Sequence, residues 1–213
     1  MKIRATYNDS RSSGLVLLQP EVTSGAAALV LNGSGVSRYR QAEFTARFGW
    51  QKSQLYLAYT RSRAEGDLND FSNYLSNFPT PLLRPNFYAS LPADLPNRFL
   101  AWGHVTLPHK MQFLPTVEYR NGFPYSRYDV LGNYSGTPNS RDTRFPNLFS
   151  LDARIMKDIQ VNPKYTLRFS VSGMNLTNHF NALAVHSNIA DPQVGTFFGT
   201  YPRRFRADFD VIF

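Results

Sequence analysis

A chain of 213 residues with 42% apolar and 15% aromatic side chains is long enough for one folded domain and far from the composition of a disordered segment. It carries a formal net charge of +8 and no cysteine, which excludes thiolate chemistry, disulfides and cysteine-ligated metal. No stretch approaches the roughly 18 consecutive apolar residues of a membrane helix, so any membrane role rests on strands, which need only about 10 residues apolar at every second position.

The chain opens on Met1-Lys2-Ile3-Arg4-Ala5-Thr6-Tyr7, which lacks the charged-then-apolar order of a secretion signal and alternates like the interior of a strand. Met1 therefore reads as a cut into a longer protein. Strand-like alternation is expected eight times, at Lys2–Asp9, Arg38–Trp50, Gln54–Arg63, Arg98–Leu107, Met111–Arg120, Leu148–Gln160, Tyr165–Leu176 and Arg203–Phe213. In the second, Ala42, Phe44, Ala46, Phe48 and Trp50 oppose Gln41, Glu43, Thr45 and Arg47. Short turns are expected at Gln51–Ser53, Pro108–Lys110 and Val161–Lys164, and long connections over Ser10–Ser37, Ala64–Asn97, Asn121–Asn147 and Thr177–Pro202. Strict alternation of short and long connections is the ordering of an up-and-down outer-membrane barrel, short on the periplasmic side and long outside. Within the first long connection, Gly14–Leu18 and Ala26–Leu31 are apolar enough for a hairpin above the membrane. Pro115 removes a ladder donor from the fifth strand, where a bulge or local break is expected.

The last strand carries the pattern most plainly. Phe205, Ala207, Phe209, Val211 and Phe213 form one face and Arg204, Arg206, Asp208 and Asp210 the other, so one side asks for hydrocarbon and the other for water. Aromatics on the apolar faces separate into two belts, Trp50, Phe113, Tyr165 and Phe213 toward the short turns and Tyr7, Tyr59, Phe99, Tyr119 and Phe149 toward the long connections.

A net positive charge ordinarily raises nucleic acid as a partner, but its distribution argues against that. All five lysines fall at or beside the short turns, whereas Arg38, Arg40, Arg61, Arg63, Arg98, Arg203 and Arg204 mark strand ends next to the long connections. Guanidinium binds phosphate bidentately where ammonium acts as a point charge, so these arginines are candidates for a rim that holds glycolipid phosphate. The bland alternative is that arginine simply tolerates strand ends. Tyr74, Tyr88, Tyr125, Tyr134, Phe197 and Phe198 are candidate ligand contacts in the long connections, against the commoner outcome that such residues pack loops on one another.

Catalytic constellations are weak throughout. The histidines His104, His109, His179 and His186 lack HExxH spacing, and no Gly-x-Ser-x-Gly or phosphate-cradling glycine loop occurs. Asp67-Leu68-Asn69-Asp70 has calcium-type ligands without the twelve-residue loop that would make them specific. No catalytic residue, metal or cofactor is expected, and the chain is not expected to be an enzyme.

Several segments together carry a resemblance. Ser37-Arg38-Tyr39-Arg40, Arg61 to Asn69, Arg84-Pro85-Asn86, Arg98 to Gly103, Gly122-Phe123-Pro124-Tyr125-Ser126, Asn175 to Asn181 and Gly195 to Gly199 resemble, in order and spacing, the carboxyl-terminal barrel strands of TonB-dependent outer-membrane receptors. The branch with a carboxypeptidase-regulatory-like amino-terminal domain is the most similar, and Phe209, Val211 and Phe213 resemble the barrel-assembly signal. The resemblance implies a barrel of about 22 strands with an amino-terminal plug opened by an energised inner-membrane partner. Neither plug, regulatory domain nor coupling box has a counterpart in these residues, so TonB would act only through a missing amino-terminal part.

The expected fold is all-β, an antiparallel up-and-down meander of about eight strands over residues 1–213, open or artificially closed, forming part of a transmembrane β-barrel. The expected function is the pore wall and external ligand-facing loops of a receptor in the outer membrane of a Gram-negative-type bacterium, with lipid, glycolipid and the assembly machinery as partners. The alternatives are a self-contained eight-stranded barrel with a structural or anchoring role and a soluble β-sandwich module. One-sided apolar faces disfavour the last, and bulky inward charges disfavour a narrow closed interior.

Overall fold

Residues that alternate in polarity gain most when extended, because a pleated strand sends successive side chains to opposite faces. The computed structural model describes residues 1–23, 25–70 and 84–213 of the chain. Its strands are β1 (Lys2–Thr23), β2 (Ala26–Trp50), β3 (Ser53–Asp67), β4 (Tyr88–Ser90), β5 (Asn97–Leu107), β6 (Met111–Arg120), β7 (Leu148–Gln160), β8 (Thr166–Met174), β9 (Ala184–Val185), β10 (Phe197–Phe198) and β11 (Arg204–Ile212). Eight of them pair as an antiparallel meander in the order β1-β2-β3-β5-β6-β7-β8-β11, with β4 added along the end of β3. The sheet is open, with β1 and β11 as its outer strands.

Directly opposed residues of an antiparallel pair share a face, so the register fixes two surfaces across the whole sheet. One row on the first surface runs Ala5, Phe44, Tyr59, Phe99, Tyr119, Phe149 over six strands. Nearer the short turns the same surface carries Ile155, Val171 and Ala207 in one row and Lys157, Phe169 and Phe209 in another. The second surface carries rows such as Lys2, Arg47, Tyr56, Trp102, Thr116, Asp152. Outside the stretch between Ser13 and Leu17 no strand slips by one residue, which would have sent its apolar set to the wrong side.

Among the described residues nothing covers the apolar surface. The buried apolar side chains among them are few, Leu17, Leu18, Ala64, Pro124 and Pro138, while Val171 is 56% and Phe205 67% exposed. The long connections collect at one end. At the other lie the short turns, where Gln51, His109 and Lys110 take positive φ and the Asn162 carboxamide oxygen accepts the N–H groups of Lys164 and Tyr165 at 2.9 Å each.

The expectation over Ser10–Ser37 changes, and the local break expected at Pro115 is present. The long connection over Ser10–Ser37 is not a loop: β1 and β2 continue as one hairpin to Thr23 opposite Ala26, with irregular register between Ser13 and Leu17. Its polar and glycine-rich residues are paired through the backbone, so no period of two marks them. Leu18 and Asn69 exchange hydrogen bonds that pin this extension to the end of β3. At Gly35 an added Cβ would lie 2.7 Å from the Leu15 carbonyl oxygen, so the irregular stretch requires glycine there. At Pro115 the ladder breaks without a bulge: β5 and β6 pair at Trp102 with Thr116 and again at Val105 with Phe113, skipping the proline in unchanged register. On its other side Pro115 stays opposite Ala153.

Candidate functional site

Where the strands meet the long connections, the apolar face ends in a defined polar seam. The Tyr59 hydroxyl donates to Asn97 Oδ1 at 2.7 Å, Asn97 Nδ2 to Asn121 Oδ1 at 2.7 Å, and Asn121 Nδ2 to Asn147 Oδ1 at 3.0 Å. Asn147 Nδ2 closes the series on the Tyr119 hydroxyl at 3.0 Å. Each tyrosine thus keeps its ring in the apolar row and its hydroxyl in the seam, the arrangement that an amphipathic ring favours at a polar boundary. Asn97 opens β5, Asn121 follows β6 and Asn147 precedes β7, so each asparagine stands at a strand end on this rim, a regularity that reading single strands overlooks.

Beyond the seam on the same face the arginines gather. Arg61 stands opposite Ala42, Arg63 opposite Arg40, and Arg38 opposite Glu65. Arg38 grips Asp9 with two hydrogen bonds of 3.0 and 2.6 Å. Glu65 is shared by three guanidinium groups, paired with Arg63 and lying 3.8 Å from Arg40 and 3.5 Å from Arg141. A cleft of about 590 Å³ is lined by Arg40, Arg61, Arg63, Arg141 and Arg144 together with Tyr7, Ala42 and Asp94. Arg141 and Arg144 come from the connection between β6 and β7 and carry no strand-end signature. Asp94, 2% exposed, ties this corner together: it accepts the Ala64 N–H at 2.6 Å and pairs with Arg144, which also donates to the Asp94 and Gly122 carbonyls at 3.1 Å.

The other rim candidates lie elsewhere. Arg98 is on the opposite surface, facing Arg120 across the ladder and bonded to Glu118 at 2.9 Å. Arg203 and Arg204 sit at the start of β11, where Arg203 overlies Phe205 and Arg204 overlies Tyr201. The structure therefore brings four of the seven strand-end arginines together and leaves three apart.

Most described loop candidates are taken up in packing. Tyr125 and Phe197 form a trio with Phe145, with ring centroids 5.4 to 5.9 Å apart. Tyr134 stacks on Tyr128 at 5.6 Å with the Arg84 guanidinium over both rings, and burial pushes its phenol above the ordinary value. Phe198 lies 4.5 Å from the His186 ring yet stays 46% exposed, and Tyr88 is 53% exposed. Tyr74 lies outside the described residues.

Two loop carboxylates are held ionised by local bonds. The Asn133 carboxamide and backbone N–H groups of the same turn keep Asp129 below its usual range. The Gln193 N–H at 2.8 Å and then the His186 ring at 2.7 Å do the same for Asp191. Asn175, at φ +48°, locks the end of β8: its N–H donates to Asp152 Oδ1 at 2.7 Å and its side chain spans His179 and Tyr201. Asp67 likewise serves as a clasp, accepting the Val36 N–H and Asn86 Nδ2 at 2.7 Å each.

At the carboxyl end, Phe209 packs on Phe169 with centroids 4.9 Å apart and Val211 stands opposite Leu167, both on the apolar face. Phe213 follows β11 and is 92% exposed. Charges on the polar face pair across strands, as Arg168 does with Asp158 and Arg154 with Asp208. Exposed pairs of this kind contribute about 0–1 kcal/mol each.

These features define an all-β protein whose antiparallel meander is apolar on one face and charged on the other. No protein-family model, curated protein or solved structure matches the chain.

Proposed function

We propose that the chain forms part of the wall of a transmembrane β-barrel in a bacterial outer membrane, as a carboxyl-terminal segment of a TonB-dependent transport receptor. One observation carries the membrane part of this reading. An apolar face continues in register over eight strands, is bounded by a tyrosine and asparagine seam, and has no protein layer on it among the described residues. A bilayer-spanning strand needs hydrocarbon on one side and tolerates charge on the other. The assignment to this receptor class rests on the resemblance of the sequence motifs. Long connections gathered at one rim suit an external ligand-facing surface, and Phe209, Val211 and Phe213 suit recognition by the assembly machinery.

An eight-stranded barrel would pair β1 with β11. These are instead the two outer strands of an open sheet, which favours a segment of a larger wall over a self-contained anchor. Because the chain has no cysteine, single cysteines can be introduced and spin-labelled one at a time through residues 151–156 and 207–211. In lipid vesicles the odd positions are expected to be reached by oxygen and the even ones by a water-soluble nickel relaxant. Equal accessibility along both strands would refute the membrane reading.

A further inference from the structure

The cleft beyond the asparagine seam brings together more cations than the fold's own pairing uses. Five guanidinium groups, from Arg40, Arg61, Arg63, Arg141 and Arg144, line it. Two carboxylates answer them: Asp94 is committed to Arg144, and Glu65 is divided among the other arginines except Arg61. Arg61 is exposed and makes no ion pair among the described residues. Arg63 points the same way, because its Nε is buried without a hydrogen-bond partner. A planar fork with an unused donor beside an unpaired neighbour is the donor set that a tetrahedral oxyanion fills bidentately.

Position selects the kind of anion. Along β3, Arg61 and Arg63 follow Tyr59 at two and four residues on the same face, about 7 and 13 Å beyond the aromatic row at roughly 3.3 Å per residue. Tyr7 and Ala42 give the cleft an apolar floor continuous with that row. A ligand seated here would meet hydrocarbon below and guanidinium above. That order of chemistry, acyl chain and then phosphate, belongs to a lipid.

We infer that this cleft holds a phosphate group of a glycolipid headgroup, clasped by Arg61, Arg63 and Arg141 above the aromatic row. The inference rests on the membrane reading above and adds a specific ligand class to one corner of it. Arg98, Arg203 and Arg204, though they share the strand-end position, take no part.

The test uses the full chain in phosphatidylcholine vesicles, alone or doped with bisphosphorylated lipid A or its dephosphorylated counterpart. Blue-shifted fluorescence from Trp50, which lies on the apolar face, reports embedding in plain vesicles. No shift there would sink the membrane reading itself. With embedding established, retention of radiolabelled lipid A after detergent extraction is expected to fall about tenfold or more in Arg61→Ala and Arg141→Ala, the scale of a lost charge-assisted hydrogen bond. Arg61→Lys is expected to recover part of it, and Arg98→Ala, with the same change in charge on the opposite face, to leave it unchanged. Equal loss in Arg98→Ala, or equal retention of the dephosphorylated lipid, would overturn the inference. Competition by millimolar inorganic phosphate as effective as that by lipid A would overturn the lipid assignment in favour of a free-anion site.

Discussion

Replacing Val171 by arginine distinguishes an embedded apolar face from a wet one. Val171 stands between Ile155 and Ala207 and is 56% exposed, so the longer side chain meets no wall. It lies five residues from Thr166 at the short-turn end of β8, about 17 Å along the strand and about 13 Å along the membrane normal for a tilt near 40°. An apolar band about 25 Å tall has its midplane there, where arginine costs about 2–4 kcal/mol. That range is about 30- to 700-fold in the folding equilibrium. On a solvated surface the same change stays within about 0.5 kcal/mol.

Thr116 supplies the control, because it lies five residues from Met111 at the same height on the polar face, opposite Asp152. Denaturant titrations of the chain in lipid vesicles, followed by far-ultraviolet circular dichroism, should show a large loss for Val171→Arg and a change near zero for Thr116→Arg. If both variants shifted the midpoint equally, or neither did, the apolar face would not be in hydrocarbon.

The pair of Asp94 and Arg144 is a second point of leverage. Removing one partner of a buried pair costs about 3–5 kcal/mol, so Asp94→Ala should strip exchange protection from the Ala64 amide, and Asp94→Ala with Arg144→Ala should lose much less than the sum; additive losses would contradict the coupling. Asp191 makes an acid prediction. Its folded value lies below the ordinary carboxylate value of about 3.9, so its contribution is present above that value and is lost as pH falls through the lowered one. Protection of the Gln193 amide, which donates to the Asp191 carboxylate, should therefore survive to about pH 4 and decline below it, with that step absent in Asp191→Asn; a loss centred above pH 4 would contradict the assignment.

Strands were legible wherever one face differed from the other. Met111–Arg120 and Leu148–Gln160 have the bounds that alternation marks, and β8 and β11 start or end within two residues of them. Within the distal hairpin the apolar runs Gly14–Leu18 and Ala26–Leu31 were legible, but its continuity with the strands below was not, because Ser10 to Gly14 and Asn32 to Gly35 are small or polar on both sides and show no alternation. Strand parity separates Arg98 from Arg61. Phe99 shares the face of Tyr59, so its neighbour Arg98 must point the other way. Arg141 and Arg144 are a different matter. Their approach to Glu65 and Asp94 depends on how the connection after β6 folds back, and no local period encodes that. The aromatic residues of the connections show the same limit: Tyr125 and Phe197 are far apart in sequence and meet only through the packing of two loops.

The open edges and the bare face lead to one requirement by separate routes. Among the described residues, β11 and the part of β1 from Lys2 to Ser13 present unpaired backbone donors and acceptors along the two sides of the sheet, a standing template for further strands. The apolar face cannot remain against water, since contiguous patches of that extent mark contact with another apolar phase. A second packed sheet, as in a soluble sandwich, would cover the face but leave no reason for Tyr59 and Tyr119 to send their hydroxyls to the same rim. A bilayer would cover the face and supply that boundary, yet it offers the edges no hydrogen bonds, and a lipid-exposed edge costs several kcal/mol per unsatisfied group. Hydrocarbon on the face thus requires strand pairing at both edges. On the membrane reading proposed above, the surroundings that would meet both conditions are the wall of a closed barrel, with β1 and β11 each joined to a strand other than the one they already hold.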